Sequence, residues 1–278
     1  MGTSIEMRDE MKTRLITAAV GVPFLIFVLF VRGWFAELVI VALTLIALGE
    51  VYKALERADY RVCRWGGYAA AVLMWPLSRF MGVLDPLLLV VAAMGISMTG
   101  VILSKQPSFP NAAASVYPLF TCLLPMSMFM MLMNEKYGLV PGVELITMAF
   151  AIAFGCDGAA YFGGRAMGKH KLCPSVSPKK TVEGAVWGVI GGIGVALIVR
   201  WCFAAVFKWA TPGVPATVVL GVIGSLAGQV GDLTASLLKR HSGIKDYGRV
   251  FPGHGGVMDR FDSVIFTLIV MYCYTLLL

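Results

Sequence analysis

Apolar runs long enough to cross a membrane recur along the whole chain, and no other feature limits its fold as strongly. They fall near 15–31, 35–51, 67–81, 84–103, 116–133, 142–160, 184–207, 214–238 and 260–278. A spanning helix needs roughly 17–25 such residues. The chain is 58% hydrophobic and 14% charged, whereas a soluble domain is roughly 45–50% apolar and about 25% charged. We predict an all-α, polytopic transmembrane protein with about nine spans, of which the short third one could be re-entrant.

The basic residues predict the direction of these spans. With the N-terminus inside, the inner segments hold 18 of the 23 Lys and Arg residues. Cytoplasmic loops of membrane proteins carry such an excess, so we predict a cytoplasmic N-terminus and a C-terminus outside. The same bias accounts for the net charge of +7, and we therefore expect no nucleic-acid partner.

Acidic residues divide the chain into two functional regions. In the first half they lie in loops or at the ends of apolar runs, where solvation accounts for them: Glu50, Glu56, Asp59, Asp85, Glu135 and Glu144. We interpret residues 1–140 as an N-terminal transmembrane scaffold region without a named catalytic residue. Residues 141–278 are interpreted as a C-terminal transmembrane catalytic region.

In that second region, acids stand in or beside apolar runs. Asp157 ends the sixth run, Asp232 lies well inside the eighth, and Asp259 and Asp262 open the ninth. A charge at helix depth costs at least about 2.5 kcal/mol, so an intramembrane acid indicates function. The alternative is a structural ion pair with one of the many nearby basic residues.

Helical spacing predicts that several of these groups converge. Asp232, Ser236, Lys239 and Arg240 share a stripe of one helix, and Asp259 and Asp262 share a face of the next. The connection 244–258 is short, so carboxylates of both helices are expected beside Lys239, Arg240, Lys245 and Arg260. Carboxylates with open coordination positions suit Mg²⁺, and surrounding cations suit a polyanion. The pattern predicts metal-assisted phosphoryl chemistry.

Two polar connections, about 156–183 and 239–259, support this interpretation. Gly253, Gly255 and Gly256 flank His254, so the backbone can present N–H groups to a ligand, although a tight turn would also use these residues. In the first connection, Ser177 or Thr181 could cap the next helix, with Pro178 in its first turn and Glu183 near its start. Capping and phosphate binding are compatible, because a helix N-terminus favours anions.

The segment 236–262 resembles the signature of the phosphatidate cytidylyltransferases, or CDP-diacylglycerol synthases. The matching positions are Ser236, Lys239-Arg240, Lys245-Asp246, Gly248, Phe251-Pro252, His254-Gly255-Gly256, Asp259-Arg260 and Asp262. Asp157 and the run from Ser177 to Gly184 are similar to the family more weakly. The resemblance to these motifs covers roughly 155–262.

This resemblance implies that CTP and phosphatidate from the bilayer become CDP-diacylglycerol and pyrophosphate, with Mg²⁺ as cofactor, on a membrane-integral chain that is often a homodimer. Asp232 and Asp259 are then the expected metal ligands, with Asp246 and Asp262 as further ligands. Substrate contacts are expected from Asp157, Ser177, Lys179, Lys180, Thr181, Ser236, His254, Gly255 and Gly256. The short N-terminus favours a bacterial cytoplasmic membrane, with the active site facing the cytoplasm.

Other functions stay open. A lipid kinase using CTP or ATP would share the carboxylates and basic loops, but not the whole 236–262 pattern. A CDP-alcohol transferase would carry an Asp-Gly-x-x-Ala-Arg run, which is absent from the sequence. A membrane transporter would also place Asp in its spans, but near the midplane and in both halves of the chain.

Overall fold

The structure, a computed structural model, describes residues 19, 21, 23–31, 33–81, 85–134, 140–253 and 255–277. His254, one of the predicted substrate contacts, lies outside the described residues. By contacts, the chain divides into two compact units, Met1–Leu124 with His241–Phe261, and Pro125–Arg240 with Asp262–Leu278. The predicted functional division at residue 140 stays a prediction.

In the first unit, residues 23–31 are helical, and the helices that follow are α1 (Gly33–Arg57), α2 (Trp65–Pro76), α3 (Pro86–Ile102) and α4 (Phe109–Pro118). After their prolines, α2 and α4 continue as π-helical turns, Leu77–Met81 and Leu119–Leu123. Proline removes a helical hydrogen bond, and a widened turn is one way to accommodate it. Asp85 caps α3 by accepting from the N–H groups of Leu87 and Leu88.

The second unit contains α5 (Leu124–Met133), α6 (Gly142–Met167), α7 (Val182–Cys202) and most of α8 (Val214–His241) and α9 (Met258–Thr275). A π-helical turn, Phe203–Phe207, follows α7. Strands β1 (Lys171–Cys173) and β2 (Ser177–Thr181) form an antiparallel hairpin between α6 and α7.

Small residues let the helices of the second unit approach closely. Gly164 of α6 and Gly184 of α7 face each other so tightly that a Cβ on Gly184 would lie 3.1 Å from the Gly164 Cα. Gly228 of α8 packs in the same way against Thr267 of α9. Close packing of small residues is how helices associate in lipid. A Cβ added to Gly194 of α7, in contrast, would meet no described neighbouring atom within 4 Å.

Within the described residues, five helices are long and apolar enough to cross a membrane: Gly33–Arg57, Phe109–Met133, Gly142–Met167, Val182–Phe207 and Val214–His241. Helix α3 is a shorter apolar helix, and α9 carries Asp259, Arg260 and Asp262 in its first turns. The prediction of a helical membrane protein is confirmed. The number of nine spans and the sides of the termini stay predictions.

The prediction for the first polar connection is confirmed for the Thr181 cap and for Glu183 near the start of α7, but it is wrong for Asp157 and Pro178. Helix α6 runs on to Met167, so Asp157 lies inside the helix and not at its end. Much of the remainder is the hairpin, in which Pro178 belongs to β2 and not to the first turn of α7. The Glu183 carboxylate accepts hydrogen bonds from the N–H groups of Lys169 and His170, at 3.0 and 3.2 Å from Oε2. This local pairing satisfies backbone donors that a plain loop would leave to solvent.

Candidate active site

A cavity of about 510 Å³ opens in the second unit, lined by residues of α6, both strands of the hairpin, α7 and α8. Carboxylates and cations share its wall. The acidic residues are Asp157 and Asp232, and the basic ones are Arg165, Lys179 and Lys180. Apolar groups such as Leu172 and Ala185 complete the lining. Cations around a few carboxylates suit a polyanion that is bound together with a metal ion.

The centre of this wall is an ion pair between Lys180 of β2 and Asp232 of α8. The Lys180 ammonium donates to Asp232 Oδ2, and the Ser236 hydroxyl lies 3.4 Å from Oδ1. Both charged side chains keep part of their surface accessible, 29% for Lys180 and 22% for Asp232. The structural ion pair that the sequence left open is therefore present. It forms part of the cavity wall, where a bound anion could meet Lys180.

Further carboxylates stand in the same unit. Asp157 Oδ2 accepts a hydrogen bond from the Ser263 hydroxyl at 3.3 Å. Asp262 is half-buried and lies within electrostatic range of Asp157, Asp232 and Lys239. In the part of the chain that the structure describes, no three acidic, His or Cys side chains could enclose a metal ion by themselves. Mg²⁺ commonly takes one or two carboxylates and completes its shell with waters and substrate phosphates, so the donor set fits that ion.

Residues that the sequence analysis left out of the site also line the cavity. Arg165 follows Asp157 and Tyr161 at four-residue steps on one face of α6, and its Nη1 donates to the Tyr161 hydroxyl at 3.3 Å. Gln229 Nε2 donates to the Ala185 carbonyl at 3.1 Å and so ties α8 to α7. Helical spacing from Asp157 was the signal that could have identified Arg165.

The first unit contains the second predicted metal ligand, Asp259. Its carboxylate is 8% exposed, and Oδ2 accepts hydrogen bonds from the N–H groups of Tyr247 and Gly256, at 2.7 and 3.0 Å. Gly255 adopts φ +87°, and a Cβ there would lie 2.8 Å from the same oxygen. The glycine-rich connection therefore wraps around Asp259, and only glycine fits this position without strain.

Glu50 of α1 also contacts this connection, at the end that leads into α9. This carboxylate is 6% exposed, and it accepts from the N–H groups of Val257 at 3.1 Å and Met258 at 2.8 Å. Gly248 and Gly256 pack against it so closely that a Cβ on either would collide with Oε1. The interpretation of Glu50 as a solvated end residue is wrong. Helix α1 continues to Arg57, which places Glu50 about two turns inside the helix and next to a distant segment.

The prediction that Glu144 is solvated is also wrong. It is fully buried in the first turn of α6, not solvated. The apolar run was placed correctly, but the burial of its first turn depends on tertiary packing that the local sequence does not show.

The remaining predicted residues occupy varied positions. Thr181 caps α7, with its hydroxyl accepting from the Gly184 N–H at 3.1 Å, and Ser177 begins β2. Arg240 Nε donates to the Val176 carbonyl in the hairpin at 3.3 Å. Lys245, Asp246 and Arg260 are exposed. Ser236–Arg240 and Asp262 belong to the second unit and 241–261 to the first, so the predicted convergence of Asp232 with Asp259 stays a prediction.

The fold and these clusters define a helical membrane protein that gathers carboxylates and cations in a cavity. The sequence model of the Cytidylyltransferase family matches residues 12–278, and the chain belongs to that family. The resemblance of the 236–262 segment is thereby confirmed at the level of the family.

Curated relatives are similar to part of the chain. A protein of Staphylococcus saprophyticus named phosphatidate cytidylyltransferase is 45% identical over 127 residues, which is 46% of this chain and 47% of the relative. One of Staphylococcus aureus strain COL with the same name is 47% identical over 129 residues, with the same two shares. The chain thus aligns with about half the length of the curated relatives it matches.

Proposed function

We propose that this protein is a phosphatidate cytidylyltransferase, which forms CDP-diacylglycerol and pyrophosphate from CTP and phosphatidate. The observation that carries the proposal is the cavity in which the Lys180–Asp232 pair stands beside Asp157, Arg165 and Lys179. Such a wall suits a triphosphate or a phosphomonoester. The names of the curated relatives add the transfer of a cytidylyl group to phosphatidate.

The proposed reaction is an in-line displacement. A phosphate oxygen of phosphatidate attacks the α-phosphorus of CTP, the bond from that phosphorus to the bridging oxygen breaks, and pyrophosphate leaves with the bonding electrons. The nucleophile is already anionic, so no side chain has to remove a proton. The chain must instead bring two polyanions together and offset their charge, which preorganised cations do best in a partly desolvated site.

Lys180 is assigned the central part of that task. In the structure its ammonium is held by Asp232, which fixes the side chain in the cavity. An incoming phosphate can take over the ammonium and leave the Asp232 carboxylate to a metal ion. Arg165 and Lys179 line the same cavity and add positive charge, and Lys239, Arg240, Lys245 and Arg260 are proposed to do so for the substrates and the leaving pyrophosphate.

Asp232 and Asp259 are the proposed Mg²⁺ ligands, with Asp246 and Asp262 as further ligands. When bound there with the triphosphate, Mg²⁺ supplies Lewis-acid stabilisation of the developing charge. Glu50 is proposed as a positioning residue, because it fixes the backbone at the start of α9, the helix that carries Asp259. The substrate contacts proposed from the sequence are Asp157, Ser177, Lys179, Lys180, Thr181, Ser236, His254, Gly255 and Gly256.

The arrangement in the membrane is part of the proposal. We propose nine spans, a cytoplasmic N-terminus, an external C-terminus and an active site that faces the cytoplasm. The distribution of Lys and Arg supports this arrangement. In a cysteine-free background, single cysteines beside Lys179 and Lys245 should resist an impermeant thiol reagent in intact cells. Labelling from outside would overturn this orientation.

The proposed homodimer is testable by the mass of the protein–detergent particle.

Position-specific labels test the reaction. Purified protein with phosphatidate should transfer label from CTP carrying it at the α-phosphate into a chloroform-soluble nucleotide lipid. Label at the γ-phosphate should appear only in pyrophosphate. A lipid kinase would instead place the γ-label in the lipid and release a nucleoside diphosphate. The transporter would be favoured if folded protein converted neither label and if proteoliposomes containing it showed flux of a solute.

A further inference from the structure

A second cavity lies in the first unit, and the proposed reaction does not use it. It encloses about 460 Å³ between the α1–α2 connection and the end of α3. Arg61, Arg64 and Lys105 line it, together with Trp65, Tyr68 and Val101. We call it the basic pocket.

The walls of the basic pocket are fixed by hydrogen bonds to α4. The N–H of Arg61 donates to Asn111 Oδ1 at 3.0 Å, and the N–H of Cys63 donates to the Ser115 hydroxyl at 2.9 Å. Gly100 of α3 lies against the Cys63 thiol with no room for a Cβ. The connection is therefore held in place on both sides, and the pocket is preformed.

Its charge is positive. Arg64 is paired with Glu56 through two hydrogen bonds, which raise the pKa of Arg64 and keep it ionised. Among the residues that the structure describes, neither Arg61 nor Lys105 makes an ion pair. Both are exposed residues that line the pocket, so two cations with no carboxylate partner among the described side chains face the same space.

The surroundings of the pocket are apolar. Trp65 is 77% exposed, Leu103 80% and Ile102 68%. These side chains stand at the ends of helices that lie in a membrane protein, where lipid can cover them. Tryptophan is enriched at the membrane–water boundary, and basic pockets between membrane helices bind acidic lipid headgroups. Cations beside a lipid-facing apolar rim thus match a phosphate group that is attached to acyl chains.

We propose that the basic pocket binds a phosphate group presented at the membrane surface, with Arg61 and Lys105 as its cationic partners and the apolar rim beside its acyl chains. The proposal concerns lipid binding and does not depend on cytidylyl transfer. A free phosphate offers the same chemistry without the chains, and the experiment separates the two sources.

Purified protein in nanodiscs provides the test. The probe is phosphatidylglycerol, whose phosphodiester is not the proposed substrate. Native mass spectrometry should show anionic lipid retained on the wild-type protein, and its thermal midpoint should be higher than in phosphatidylcholine alone. The Arg61→Gln/Lys105→Gln variant should lose at least half of that rise. A matched control is Lys53→Gln/Arg57→Gln, which removes the same charge from exposed positions of α1 outside the pocket and should keep most of it.

Equal loss in both double variants would mean that only the general surface charge attracts the lipid, and the proposal would be wrong. Gln106→Glu adds a negative charge to the pocket while keeping both cations, so it should also reduce retention even if the double variant folds poorly. Unchanged retention in folded Gln106→Glu protein would again contradict the proposal. Stabilisation by inorganic phosphate alone, lost in Arg61→Gln/Lys105→Gln, would retain the phosphate site but assign it to a soluble ligand.

Discussion

Glu50 accepts a hydrogen bond from the backbone N–H of Met258 at 2.8 Å, although 208 positions separate the two residues in the chain. The neighbouring Val257 N–H reaches the other oxygen at 3.1 Å. Met258 begins α9 and Val257 directly precedes it, and the first N–H groups of a helix have no partner within the helix. A carboxylate of the region interpreted as a scaffold therefore fixes the start of the helix that carries Asp259.

We expect Glu50→Gln to lower kcat by about tenfold or more. The amide can accept one of the two backbone hydrogen bonds but sets an N–H group against the other. An unsatisfied buried donor costs about 1–3 kcal/mol of stability, and the backbone that positions Asp259 is expected to shift to relieve it. A resulting loss of roughly 1.4 kcal/mol in transition-state stabilisation corresponds to a tenfold change in rate. Steady-state kinetics with varied CTP and thermal unfolding in detergent measure the two effects.

Glu37 offers a matched control for Glu50. It lies in the same helix, is 3% exposed, and accepts from Trp75 Nε1 at 3.0 Å, away from the connection. Glu37→Gln should change the thermal midpoint by a similar amount but leave kcat nearly unchanged. A drop in kcat of equal size in both variants would reduce Glu50 to a general stability role.

The contact of Gly248 with Glu50 yields a coupling test. Gly248→Ala should reduce kcat severely in the wild-type background, because its Cβ would collide with the carboxylate. In a Glu50→Ala background the colliding carboxylate is gone and the Gly256 Cα, at 3.2 Å, is the remaining close atom, so the same substitution should add much less. Such non-additivity is expected of residues in contact. Full additivity of the two effects would contradict the close packing of Gly248 on Glu50.

Asp232→Asn and Asp259→Asn should each reduce turnover by about 100-fold or more while leaving the protein folded, since Lewis-acid stabilisation is worth several kcal/mol. Because residues that act as a unit lose activity non-additively, the double variant should be little worse than either single one. Activity against Mg²⁺ concentration and thermal stability should be measured together. Near-normal turnover in a folded variant would exclude that aspartate as a ligand.

Lys180→Gln should raise the KM for substrate and lower kcat, because it removes the cation at the centre of the cavity wall. Lys171→Gln on the other strand of the hairpin is the control, since Lys171 is exposed and does not line the cavity. The control should keep wild-type kinetics. If Lys180→Gln and Lys171→Gln behave alike, the Lys180–Asp232 pair has a structural role only.

Thr181→Ala should lower the stability of the second unit by about 0.5–2 kcal/mol, the usual cost of losing a helix N-cap. The hydroxyl caps α7 at the Gly184 N–H, and α7 begins directly after the hairpin. Thr181→Ser keeps the hydroxyl and should restore most of the thermal midpoint. An unchanged midpoint in Thr181→Ala would show that the cap contributes nothing measurable.

The sequence alone determined the class of fold and the family. Apolar runs are a local property of the chain, because a spanning helix satisfies its own backbone groups and needs no distant partner to be recognised. The position of Asp232 within an apolar run is also visible in the local sequence, and its functional role stays a prediction. The spacing of 236–262 indicated the family, because fixed positions in a short segment are visible without tertiary contacts.

Tertiary structure alone decided which groups meet. Glu50 looked like a solvated end residue, and its role depends on a segment that follows some 200 positions later. Lys180 and Asp232 are 52 positions apart in the chain, and they pair because β2 of the hairpin lies next to α8. Arg165 entered the cavity because α6 continues past Asp157. Hydropathy measures the transfer of each residue into lipid separately, so it can be read from the sequence. A hydrogen bond or an ion pair needs two residues, and only the tertiary structure determines which residue is the partner.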